Sequence, residues 1–460
     1  MYMKKLLFTL AAAASIVAAC TMNIDSADEK KPVEEQALAF GAYLNRGVST
    51  KAGVTGELTT DVLKYRRVGF GVMAYYTGED LYNDSCKPDF MYNEWVTWDD
   101  NNKVWTYSPI KYWPNQHGST ASSEAKDHLT FFAYAPYVAV QPSTGVVTTD
   151  QGNGITALSR NGASGVPLVR YVASMEPSQC VDLCWGVSKN GLKSSVDGEN
   201  NHVAKGFPYI DVLKLKTGDK IEFDFHHALT ALNVKVDAVI DVEAATATRP
   251  GDTLDKATHI YVRSVTFEGF TTKGSLILNS NTLLGPEWID YLGMDHISTS
   301  PVTVFDGRRN GKEGIDGSVA VDEAPTGLNP VLIQSKPYSA QDVPAGVTTT
   351  PVNLFNSVKD SAAVYVIPNG EPLKITISYD VETKDPKLAP CLSDGETHGS
   401  SVPNNITKTV TIDGRDLIMK AGLKYVINVH LGMTSVKFDA TVTDWDNGGS
   451  ATVDLPQNVQ

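Results

Sequence analysis

The chain reads as an all-β protein made of two β-sandwich domains in tandem, with long loops and few short helices. Three observations carry this reading. Apolar residues recur at every second position in many short runs, Gly, Asn, Asp, Pro and Ser cluster between the runs, and 460 residues exceed the usual size of one sandwich.

The N-terminal segment is a secretion signal. Lys4 and Lys5 make a short basic start, and Leu6 to Ala19 is an apolar run of fourteen residues, shorter than the roughly 20 a membrane-spanning helix needs. It ends in Val17-Ala18-Ala19-Cys20, which has the form of a lipobox. Small residues suit the peptidase pocket, so cleavage is expected between Ala19 and Cys20. The thiol of Cys20 is then the expected site of acylation. No later stretch is long and apolar enough to cross a bilayer as a helix, which leaves the lipid on Cys20 as the expected membrane contact.

Residues 21–36 are polar and charged without an apolar face, and read as a tether. After them the alternation begins: Val68, Phe70, Val72, Ala74; then Leu129, Phe131, Ala133; then Ile221, Phe223, Phe225; then Tyr425, Ile427, Val429, Leu431; then Val436, Phe438, Ala440, Val442. Each run predicts a half-buried strand, because successive side chains leave opposite faces of an extended backbone. Turn-rich stretches such as 150–155 and 306–314 predict long loops. The expected division is a signal at 1–19, tether and first strand at 20–51, one sandwich at 52–219 and a second at 220–460. The seam is placed at the polar turn 216–220.

A net charge of −14 argues against nucleic acid or an anionic lipid surface as partner. The signatures of serine hydrolases, zinc proteases and phosphate-binding loops are absent, so the chain is expected to be no enzyme and to need no cofactor. His226 and His227 are adjacent, and on a strand they face opposite ways. One is therefore expected under the sheet and one at its surface. Asp306, Asn310 and Glu313 resemble half of a calcium loop, but Arg308 and Arg309 stand where oxygen ligands belong.

Cys86, Cys180, Cys184 and Cys391 are too few for a disulfide scaffold. Cys180 and Cys184 read as buried or bridged thiols, since no second Cys or His pair with zinc spacing follows, and no metal site is expected. Trp95, Trp98, Trp105 and Trp113, with Tyr92, Tyr107 and Tyr112 among them, admit a sugar-stacking platform, as on a glycan-binding lipoprotein of a carbohydrate-uptake system. Aromatics at strand spacing are more often core or strand-pair residues.

Several stretches in a fixed order resemble a known family: Phe70 to Tyr76 (FGVMAYY), Trp105 to Pro114 (WTYSPIKYWP), Leu129 to Tyr137 (LTFFAYAPY), Phe223 to Leu229 (FDFHHAL), Ala421 to Phe438 (AGLKYVINVHLGMTSVKF) and the closing Asp444-Trp445. Together they resemble the fimbrillins, the lipoprotein pilins of the Bacteroidota type V pili. The resemblance implies sandwiches of transthyretin-like topology, export to the outer membrane surface as a lipoprotein, and a place in the fimbrium after maturation. It also implies maturation by a trypsin-like protease that removes the lipid, the tether and the first strand. The groove so opened takes the C-terminal strand of another fimbrial subunit, and the fibre serves adhesion and biofilm on a host or bacterial surface ligand.

Ala37 to Leu44 fits the removable first strand, and Arg46 and Lys51 are the alternative cleavage sites. If neither is cut the lipid stays, as in a basal anchor subunit. Ala451, Val453 and Leu455 alternate as a donor strand should, with Pro456 interrupting and only fifteen residues after Trp445. They fit equally the last strand of the chain's own domain.

Overall fold

Every one of the five alternating runs is a strand: Phe70–Gly78, His128–Ala135, Ile221–His227, Leu423–Leu431 and Val436–Asp444. The computed structural model describes residues 36–44, 56–64, 68–114, 127–148, 154–188, 210–213, 218–238, 258–280, 285–291, 301–306, 331–334, 352–355, 362–384, 399–412, 414–431 and 436–445. The signal cleavage site at Ala19 and Cys20, the lipidation site Cys20, the basic residues Arg46 and Lys51, and Ala451, Val453 and Leu455 lie outside them. So do Cys391, Asn310 and Glu313.

The first sheet has eight strands, ordered Phe40–Tyr43, Ile221–His227, Cys184–Ser188, His128–Ala135, Phe70–Gly78, Met91–Asp99 and Val104–Thr106, with Ile210–Val212 also paired to His128–Ala135. A six-stranded sheet is ordered Phe270–Thr271, Val364–Pro368, Thr230–Ala238, Leu423–Leu431 and Val436–Asp444, with Val352–Asn353 branching from Thr230–Ala238. A five-stranded sheet centres on Thr258–Glu268 and Lys374–Lys384, and a four-stranded sheet runs Glu287–Ile289, Lys273–Ile277, Leu168–Val172 and Gly154–Leu158. Among the described residues the one α-helix is Thr60–Lys64. Buried Thr59 starts it, its Oγ1 accepting the Val62 N–H at 3.2 Å, as a helix N-cap does.

Alternation divides the first sheet between two apolar cores. Phe70, Val72, Ala74, Leu129, Phe131 and Ala133 point into a core drawn from residues 38–225. Met73, Tyr75, Phe132 and Tyr134 point the other way, into a larger core that continues through Leu232, Ile377, Ile427 and Trp445. All eight residues of His128–Ala135 are consequently buried, where a half-buried strand was expected. The reason is position: this strand separates two cores, and a central strand covered on both faces has no solvated row.

Two further differences concern the division of the chain. Ile221–His227, the strand expected to open the second half, belongs instead to the first sheet. Ile221, Phe223 and Phe225 enter the core of the first sheet, and the strand pairs with Phe40–Tyr43 and Cys184–Ser188. The change of sheet comes at Ala228 and Leu229, before Thr230–Ala238. The four-stranded sheet then joins early strands to late ones, with Lys273–Ile277 antiparallel to Leu168–Val172. The described residues, from Gln36 to Trp445, belong to one compact unit.

One glycine shows how closely the sheet is packed. A Cβ on Gly71 would stand 2.3 Å from the Tyr134 ring. The ring lies across the Gly71 backbone, and its hydroxyl donates to Asn93 Oδ1 at 2.6 Å. Asn93 in turn donates from Nδ2 to the Val138 carbonyl at 2.9 Å. Burial pushes the Tyr134 hydroxyl well above its usual range.

Candidate functional site

The strand Phe40–Tyr43 lies at the edge of the first sheet. It runs parallel to Ile221–His227, with Phe40 opposite Ile221 and Tyr43 opposite Asp224. Its even-numbered residues face the core: Leu38 is 3% exposed, Phe40 1% and Leu44 0%, whereas Tyr43 is 40% exposed. The Phe40 ring sits among Tyr107, Phe131 and Phe223, at centroid distances of 5.2, 6.0 and 6.3 Å. Burial of each such side chain is worth about 1.5–3 kcal/mol, so this short segment holds a substantial share of the local apolar contact.

Backbone hydrogen bonds tie the segment on two sides. Toward the sheet, the Ile221 N–H donates to the Ala39 carbonyl at 2.8 Å. Before the strand, the Leu38 N–H donates to Lys111 O at 2.9 Å and the Trp113 N–H to Gln36 O at 3.0 Å. Tyr107 bridges the two, its hydroxyl donating to Leu38 O at 3.1 Å and accepting the Lys111 N–H at 3.2 Å. Burial pushes the Tyr107 hydroxyl up to about 12, against a smaller opposing effect of the Lys111 backbone contact. Beside the strand is a small cleft of ≈ 170 Å³, lined by Phe40, Ala42, Trp98, Trp105, Lys220 and Glu222 among others.

The chain is held again at Gly56. Its N–H donates to Cys180 O at 2.8 Å, the Leu58 N–H donates to Asp182 Oδ2 at 2.9 Å, and Glu57 pairs with Lys424 at 2.9 Å. Leu44 and Thr60 also exchange hydrogen bonds, the Leu44 N–H reaching Thr60 Oγ1 at 2.8 Å and the Thr60 hydroxyl donating back to the Leu44 carbonyl. Arg46 and Lys51 thus belong to a stretch whose two flanks, Leu44 and Gly56, are both anchored.

Apart from Tyr112, which is 47% exposed, the described aromatic residues of this segment are packed against neighbours. Trp95 is stacked on Tyr137 at 5.1 Å, Trp105 meets Phe70 edge-on at 5.1 Å, and Trp98 is flanked by Trp105 and capped by the Lys64 ammonium at 4.3 Å. Tyr107 and Trp113 are buried. These are core and cross-strand contacts, as strand spacing suggested. His226 and His227 do leave opposite faces, half-buried and buried respectively. Cys180 and Cys184 are both buried and sit in different cores.

What the spacing did not foretell is that Cys184 stands opposite His227, or that Asp182 and Trp445 meet the same imidazole. No local signal reports a contact between residues so far apart in the chain.

No protein-family model matches the chain. Over 99% of its length and the whole of the relative, it is 23% identical to the fimbrium subunit Fim1C of Phocaeicola vulgatus. The crystal structure of a fimbrial protein from Bacteroides vulgatus superposes with a TM-score of 0.52 at 21% identity, covering 89% of this chain and 99% of that one. The second likeness is one of fold, and it agrees with an all-β sandwich architecture. In sequence along nearly its whole length, and in fold, the chain is fimbrillin-like.

Proposed function

We propose that the chain is a non-enzymatic structural, tip or anchor subunit of a surface fimbria, carried to the outer membrane as a lipoprotein acylated at Cys20. A trypsin-like protease cuts it after Arg46 or Lys51, the strand Phe40–Tyr43 leaves, and the groove lined by Tyr107, Phe131 and Phe223 receives the C-terminal strand of another subunit. The supporting observation is the edge position of that strand together with its buried row Leu38, Phe40 and Leu44. Main-chain pairing then supplies affinity, and the pockets for alternate side chains set register. The full-length similarity to a fimbrium subunit supports the same reading.

Ala451, Val453 and Leu455 would be the donor side chains. The segment Gly56–Lys64 stays behind in this scheme, because its hydrogen bonds to Cys180 and Asp182 do not pass through the departing strand. Limited trypsinolysis of the full chain followed by N-terminal sequencing tests the scheme. The expected product begins at Gly47 or Ala52 and assembles into a ladder of oligomers. A cleaved product that stays monomeric under all conditions, together with surface fibres that survive deletion of residues 451–460, would overturn assembly by strand exchange.

A further inference from the structure

Asp182, Cys184 and His227 meet in one buried cluster. Cys184–Ser188 and Ile221–His227 are antiparallel neighbours, and their register sets His227 directly across from Cys184. Asp182 precedes Cys184 by two residues, the spacing that returns a side chain to the same side of an extended backbone. His227 Nδ1 is 2.8 Å from Asp182 Oδ2 and 3.5 Å from Cys184 Sγ, and one ligand atom from each residue lies within 4.8 Å of the other two.

All three residues are shut from solvent, at 0%, 0% and 2% exposure. The Leu58 N–H donates to Asp182 Oδ2, and the Trp445 indole covers the imidazole. Asp182 Oδ1 is buried and has no hydrogen-bond partner among the described residues. A dry carboxylate oxygen in that condition is costly, and buried charges ordinarily pair or bind a cation.

We propose that Asp182, Cys184 and His227 hold one Zn²⁺ as a structural metal site. A thiolate sulfur, an imidazole nitrogen and a carboxylate are the donor types zinc takes, while calcium and magnesium require oxygen throughout. Zinc bonds of about 2.3 Å to sulfur and 2.0–2.1 Å to nitrogen at a tetrahedral angle put those two atoms about 3.6 Å apart, close to the separation seen here. A carboxylate bound through both oxygens supplies the third and fourth donors and gives Oδ1 its partner.

The charges balance, since Asp182 and the Cys184 thiolate together cancel the ion. Binding releases the Cys184 thiol proton, and the neutral His227 ring carries its proton on Nε2 so that Nδ1 can coordinate. The ion would join the post-cleavage segment at Leu58, two strands of the first sheet and, through the ring stack, the end of the last strand.

The test is zinc content and cobalt spectroscopy of the purified full chain. Expected are one zinc per chain after gel filtration, a thiolate-to-cobalt charge-transfer band on Co²⁺ substitution, and a thermal midpoint that falls when a chelator removes the metal. In Cys184→Ser the band disappears, and in Asp182→Asn zinc is no longer held at one per chain. Two results overturn the site: wild-type protein that stays metal-free after zinc loading, or bound cobalt without the thiolate band. Both are read on wild-type protein, so a variant that fails to fold does not shield the proposal. Neither depends on whether fibres form.

Discussion

The imidazole of His227 lies flat on the indole of Trp445, with centroids 4.1 Å apart and planes inclined by 12°. His227 ends the last strand of the first sheet, and Trp445 follows the last strand of the six-stranded sheet, so this one contact joins the two assemblies. Trp445 is 1% exposed and also meets Tyr365 at 5.0 Å. Replacing it by alanine should cost about 3–5 kcal/mol, the usual loss for a buried large aromatic. Urea denaturation followed by far-ultraviolet circular dichroism measures it; a loss under 1 kcal/mol would mean the stack contributes little.

Phe40→Ala should destabilise the uncleaved chain by a similar amount, about 3–5 kcal/mol, because the ring fills the space between Tyr107, Phe131 and Phe223. Tyr43→Ala on the exposed row should lie within about 0.5 kcal/mol of wild type. Equal losses at the two positions would contradict the inward and outward rows assigned to the strand.

Tyr107 makes stability depend on alkaline pH. Its folded-state value is raised to about 12 from 10.0 by burial, so the neutral hydroxyl is the form the fold favours. That contribution is complete below the unfolded value and is lost as pH rises through the interval from 10 to 12. Urea midpoints at pH 9, 10 and 11 should therefore fall, and fall less steeply in Tyr107→Phe. At pH 7 the same variant should lose about 1 kcal/mol, from the hydrogen bonds to Leu38 O and Lys111 N.

Gly71→Ala should destabilise by about 1–3 kcal/mol or more, since the added methyl must displace a buried tyrosine ring and strain the Tyr134 to Asn93 hydrogen bond. Thermal unfolding of the variant gives the number. A variant indistinguishable from wild type would show that Tyr134 has room to move.

The Glu57–Lys424 pair is a contrasting case. Its side chains are 31% and 36% exposed, so water and salt screen the 2.9 Å contact. Glu57→Gln should cost only about 0.2–1 kcal/mol, and the difference should vanish at high salt, where the screening length falls to about 3 Å at 1 M. A larger, salt-independent loss would give this pair a role in holding Gly56–Lys64 that its exposure does not suggest.

Alternation is a property of a few consecutive residues, which is why the strands were readable in the chain itself. Val68 to Ala74, Tyr425 to Leu431 and the three other runs needed no knowledge of their neighbours, and neither did the opposite faces of His226 and His227. The likeness to fimbrial proteins was legible for the same reason, as an ordered set of strand-length motifs. Pairing, by contrast, joins residues far apart and is decided by which apolar rows share a core. Ile221–His227 looked like the start of a second domain because a polar turn precedes it, yet Phe223 and Phe225 bind it to the first sheet. The approach of Cys184 to His227, 43 positions apart, and the seat of Phe40 between Tyr107 and Phe223 arise only when strands take their register. Local backbone geometry sets which side chains face together, and the collective burial of those faces chooses their partners.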